Sequence, residues 1–180
     1  MIYAWCPPEF VPMRKLTVLC AALIFVASNV RAQSKPVCSL LSDSDVSTIG
    51  ATGPGIPGEM SMTTGGKGPT MKMCSWRMKS GGLHLSANPA PPGTSRQAIE
   101  AELTKTYQLL TSKGWKQEKK DFGNVSCTLL TPPAGDKKSP ANTSCLAVVK
   151  GMMVNADTIN MTPIAMENLK PLVDAASGRL

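Results

Sequence analysis

Hydrophobic positions recur along this chain with two periods. At helical spacing, Ile99, Leu103, Tyr107 and Leu110 fall on one face, with Glu100, Lys105, Gln108 and Thr111 turned away. Thr94 stands as the N-cap of that helix, Gln97 completes a capping box, and Gly114 ends it. A second stripe, Ala165, Leu169, Leu172, Val173 and Ala176, predicts a helix that begins at Thr162 with Pro163 in its first position. Pro171 is expected to bend or split it, and Gly178 to stop it. A shorter helix reads from Leu40 to Gly50, where Ser42 caps, Asp45 takes the box position, and Leu41 and Val46 suit a hydrophobic staple.

Strand patterning fills the remainder. Met73 to Met78 and Leu83 to Ala87 read as strands joined through Lys79, Ser80, Gly81 and Gly82. Asn88 to Gly93 reads as an irregular connection. Further strands are expected at Trp115 to Glu118, Val125 to Leu130 and Ser144 to Val149, with another from Met152 to Asp157 after a Lys150-Gly151 turn. Residues 51–70, rich in Gly, Pro, Thr and Met, read as a long mobile loop holding at most part of a strand. The order helix, strands, helix, strands, helix predicts an α+β domain. Its expected form is an antiparallel sheet of about five to six strands covered by two to three helices, with two disulfides.

The start of the chain follows a different pattern. Arg14 and Lys15 precede an apolar run from Leu16 to Val26, and Val30-Arg31-Ala32 has small residues where a signal peptidase reads. The run is shorter than the roughly twenty residues of a bilayer-spanning helix. Residues 1–32 are therefore expected to be a cleavable signal peptide that leaves no permanent membrane anchor, and Met13 fits the true start. Cys20 lies inside the apolar run behind Val18-Leu19, which does not suit a lipoprotein site. Residues 33–180 then form a single exported domain, periplasmic or secreted, of bacterial type.

Composition sharpens this picture in few places. Removing residues 1–32 takes away Arg14, Lys15, Arg31 and Glu9, so the full-chain charge of +7 falls to about +5. The lysines are scattered, as on a solvated face. Trp76, Tyr107, Trp115 and Phe122 are too few and too dispersed to stack a single strand, and nucleic acid is not expected as a partner.

The cysteines left after signal removal are Cys38, Cys74, Cys127 and Cys145, an even set that reads as a disulfide framework. Sequence alone leaves three pairings open. Cys38–Cys74 with Cys127–Cys145 is favoured because each pair stays within one half of the chain. The closely spaced pairs of a zinc site or a redox motif are missing from the sequence.

The stretch Cys38 to Val46 (CSLLSDSDV), followed by Cys74-Ser-Trp76, resembles a pattern of small exported bacterial proteins of unknown function. It is also similar to the extracellular sensor-type domains of actinobacterial serine/threonine kinases. The resemblance implies an α+β fold with two disulfides and transfers no catalytic residue. The Met-rich 60–78 segment departs from it.

Assembled chemistry is hard to find along the chain. His84 is the single histidine, and between Leu83 and Leu85 it reads as an outward-facing strand residue. Gly65-Gly66-Lys67-Gly68 lacks the spacing of a phosphate loop. Glu100 and Glu102 do not face each other on a helix. The sharper feature is methionine: Met60, Met62, Met71 and Met73 form two Met-x-Met pairs near His84. Adaptable packing is the default reading of these residues, and a Cu(I) site the alternative. The expected function is a non-enzymatic binding or sensor-like module for a small ligand or an envelope protein. Copper handling, and an envelope enzyme whose carboxylates meet only in the fold, are the alternatives. Oligomeric state is not legible.

Overall fold

A computed structural model describes residues 35–61 and 70–180. The signal-peptide reading and Met62 lie outside the described residues. Seven antiparallel strands form one sheet in the order β1-β2-β3-β7-β6-β5-β4. They are β1 (Ala51–Ser61), β2 (Thr70–Met78), β3 (Gly81–Pro89), β4 (Lys116–Asp121), β5 (Val125–Thr131), β6 (Ala141–Val149) and β7 (Met152–Asn160). A 3-10 turn (Val37–Leu40) and helices α1 (Asp43–Ser47), α2 (Arg96–Thr111) and α3 (Met166–Gly178) complete the described domain. The sheet is two meanders, β1 to β3 and β4 to β7, joined where β7 returns to pair with β3.

The inner face of the sheet carries the core. Cys74, Trp76, Leu83, Leu85, Val154, Ala156, Cys145, Ala147, Cys127 and Val125 all point to it and are buried. The 3-10 turn and α1 cover the first meander, and α3 covers β5, β6 and β7. Each half also has one disulfide, Cys38–Cys74 and Cys127–Cys145, in the favoured pairing. The second joins residues directly opposite each other on β5 and β6.

Local chemistry explains the ends of several elements. Ser42 and Asp45 form a reciprocal capping box at α1. Arg179 donates to the Leu40 carbonyl at 2.7 Å and pairs with Asp45 at 2.5 Å, tying the end of the chain to the start of the domain. That guanidinium, helped by the Ser42 hydroxyl and N–H, holds the Asp45 carboxyl down at about 2. The turn between β6 and β7 places both Lys150 and Gly151 at positive φ, the geometry of a two-residue type I′ hairpin.

Several expectations need correction. The strands number seven because Ala51–Ser61 is a full strand where a mobile loop is expected. It is an edge strand, so Pro54 and Pro57 cost no ladder bond on the open side. An irregularity between Thr52 and Ile56 absorbs Gly53, at φ 79°, and Pro54. Gly55 lets β1 lie against the Cys38–Cys74 bridge, since a Cβ there would run into the Cys74 sulfur and the Trp76 ring. Strand β3 runs on through Asn88 and Pro89, which pair with Met153 and Met152.

At α2 the cap is Ser95, whose hydroxyl accepts from the Ala98 N–H at 3.2 Å, so Gln97 falls one position short of a box. Helix α3 starts at Met166 and runs unbroken through Pro171. The chain bends at Thr162 and stays outside the helix through Ala165, and the Ile164 carbonyl accepts from Thr143 Oγ1 at 2.7 Å. Met166 is buried in place of the exposed Ala165.

The edges differ in chemistry. Strand β4 (KQEKKD) is charged along its length, while β1 carries prolines. Both compositions disfavour pairing with another extended chain.

Candidate functional site

The outer face of the sheet is divided. Helix α2 lies over β4 to β6: Arg96 pairs with Asp121 at 2.8 Å, and Lys119 Nζ donates to Thr104 Oγ1 at 2.7 Å. The surface beneath it is mixed, with Lys119, Thr128 and Ser144 beside the buried Leu130 and Leu146, and no residue of α2 is itself fully buried. Of the expected apolar stripe of this helix, Ile99, Tyr107 and Leu110 are half-buried. Leu103 remains 38% exposed, and Leu109, on another face, 61%. The other half of the outer face, on β1, β2 and β3, is open in the described residues.

Strand register builds a polar row across that face. Ser75 pairs with His84, His84 with Asp157, and Asp157 with Ser144. Side chains directly opposite on neighbouring strands are in contact range. Ser75 Oγ and His84 Nδ1 share a hydrogen bond at 2.9 Å. Ser144 donates to Asn155 Oδ1 at 2.9 Å, and Asn155 Nδ2 donates to Asp157 Oδ1 at 3.3 Å. Burial raises the Asp157 carboxyl to about 6, against the pull of the nearby His84. Burial, and then the charge of Asp157, raise the Tyr107 hydroxyl from above.

A shallow groove of about 420 Å³ opens at one end of this row. Ile56 and Ile159 form its apolar sides, Ser75, Arg77 and His84 its polar lining, and Gly81 and Gly82 its floor. Gly81 cannot carry a side chain, because a Cβ would collide with the Ile159 carbonyl. The His84 ring lies over Gly82, where Nε2 is the nearest atom to a built Cβ, at 3.4 Å.

Ser75, His84 and Asp157 are the residue types of a hydrolytic triad, and their geometry differs from one. His84 Nδ1 is occupied by Ser75, and Nε2 turns over Gly82 instead of meeting Asp157. The three residues sit mid-strand, where backbone N–H groups are committed to the ladders and leave no donors for an oxyanion. Sequence reasoning identifies His84 as outward-facing but misses Ser75 and Asp157, because only the register brings them beside it.

The methionines separate from the histidine. Met60 lies opposite Met71, and Met73 lies opposite Gly58, all on the outer face. His84 is one strand further on, and its ring points away toward Gly82. The four cysteines are consumed in the two disulfides. Among the described residues, no group of three or more His, Cys, Asp and Glu side chains is placed to hold a metal ion.

The Asp157 environment has a measurable consequence. A carboxyl raised in the folded state stabilises the fold at low pH, and that contribution is lost as pH rises from about 4 through about 6. Asp157→Asn is expected to remove a decline of about 2–3 kcal/mol between pH 4 and pH 7. Urea unfolding at both pH values reads this directly; equal slopes in the two proteins would contradict it.

Comparison with known proteins adds no relative: no family model, no curated protein and no solved structure matches the chain.

Proposed function

We propose that this chain is an exported, non-enzymatic binding module that holds a small ligand or an envelope partner against the open half of its outer sheet face. The observation that carries this reading is the groove over Gly81 and Gly82, with the bonded Ser75–His84 pair between the exposed Ile56 and Ile159. Ile56 is 55% and Ile159 44% exposed, so apolar surface stands uncovered beside polar groups that fix orientation. That combination is typical of ligand sites.

Two disulfides fit an oxidising compartment. Among the described residues, no helix is long and apolar enough to cross a membrane. Export itself rests on the signal-like pattern of residues 13–32. The paired halves, each with its bridge, suit the build of the sensor-type domains that the CSLLSDSDV and Cys-Ser-Trp stretches resemble.

The test is native mass spectrometry of the protein recovered from its own compartment. A retained species of defined mass is expected. It should be absent from Gly82→Leu, which places a side chain in the groove; its Cβ would stand 3.4 Å from His84 Nε2 and 3.5 Å from the Trp76 carbonyl oxygen, ordinary contact distances. Retention undiminished in Gly82→Leu would move the site elsewhere. Hydrolytic turnover lost in His84→Ala would replace a binding module with an enzyme.

A further inference from the structure

On β1 and β2, four outer-face positions form a square: Met60 opposite Met71, and Gly58 opposite Met73. Three corners are thioethers and the fourth has no side chain. The Met73 side chain leans into the space left at Gly58, with its Cγ 3.6 Å from where a Cβ would stand. Directly opposed side chains are about 5 Å apart at Cβ, and diagonal ones about 7–8 Å. A methionine has three rotatable bonds, enough to bring its sulfur to the middle of such a square.

The residues are not consumed by the core. Met60 is 49% exposed, and Met71 and Met73 are partly exposed. Packing therefore accounts for them less well than it would for buried methionines.

We propose that Met60, Met71 and Met73 form a thioether site for Cu(I). Soft sulfur donors select a soft cation. The three donors are neutral, so they offset the desolvation of a single charge more readily than that of a divalent ion. Thiolates, the usual soft ligands, are unavailable because every cysteine of the domain is in a disulfide. Thioethers remain available where thiols are oxidised. Both strands are held by the ladder, so the donors are positioned before the ion arrives. His84 is excluded, because its nitrogens face Ser75 and Gly82.

This site is separate from the groove and does not depend on the binding reading above. Titration of the purified, oxidised protein with Cu(I) against a chromophoric Cu(I) chelator tests it. One ion per chain is expected, with sulfur-only coordination by X-ray absorption. Met60→Leu, at a half-exposed position that tolerates leucine, should weaken binding at least tenfold. Met60→Leu/Met71→Leu/Met73→Leu should abolish it, while His84→Ala and Gly82→Leu should bind as the parent does. Parent-like affinity in either leucine variant would overturn the proposal, as would nitrogen in the coordination shell or a loss in His84→Ala matching that of Met60→Leu.

Discussion

Replacing Cys38 and Cys74 together by alanine is expected to destabilise the domain by about 4 kcal/mol. The bridge closes a loop with a sequence separation of 36, and in the chain-entropy model its main effect is to restrict the unfolded state. The same model gives about 3 kcal/mol for Cys127–Cys145, whose separation is 18. The native state argues in the same direction. Cys127 and Cys145 are already opposed in the β5–β6 ladder, which holds them together without a covalent bond. Cys38 sits in a 3-10 turn of only four residues, and its bridge pins Val37 and Leu40 over the first meander. Losing it should release residues 35–42 to proteolysis before the sheet opens. Guanidinium unfolding of the two double variants checks the order. A larger loss for Cys127/Cys145 would show that native packing, not loop length, dominates.

The second large effect is expected at Leu169→Ala, at about 3–4 kcal/mol. Leu169 is fully buried where α3 crosses the sheet, in a stripe with Leu172, Val173 and Ala176. The core it shares with Cys127, Cys145 and Ala156 is walled by paired strands that cannot collapse into the space left behind. A control is built into the molecule. Leu109→Ala, on the exposed face of α2, should change stability by no more than about 0.5 kcal/mol. Two leucines in amphipathic helices would then differ several-fold, because Leu169 faces the core and Leu109 faces away from the sheet. Equal losses would mean that α2 is packed more tightly than its surface suggests.

That contrast also marks what the sequence makes legible. Ser42 and Asp45 announce α1 because a capping box is local chemistry complete within four residues. The cysteine pairing is readable because each bridge stays within one half of the chain. The helical stripe at Ile99 to Leu110 correctly predicts a helix, but its burial depends on a partner whose polarity is set by β4, β5 and β6 later in the chain. Strand β1 is missed because Gly53, Pro54, Gly55 and Pro57 are read as breakers, and only an edge position makes them tolerable. The row Ser75, His84, Asp157 is invisible beforehand for a similar reason. It exists because β7 returns to lie beside β3, a choice of topology and not of spacing. The methionine square was half visible: the Met-x-Met spacing places Met71 and Met73 on one face, but the position of Gly58 at the remaining corner needed the β1–β2 register.

The prolines of β1 and the lysines of β4 have a further consequence for how this protein meets its surroundings. Neither margin of the sheet offers a clean template on which a second molecule could extend the hydrogen-bond ladder. Runaway fibril growth thus lacks a starting rail. Any visitor has to land on the flat of the sheet, where side chains rather than backbone decide who is admitted.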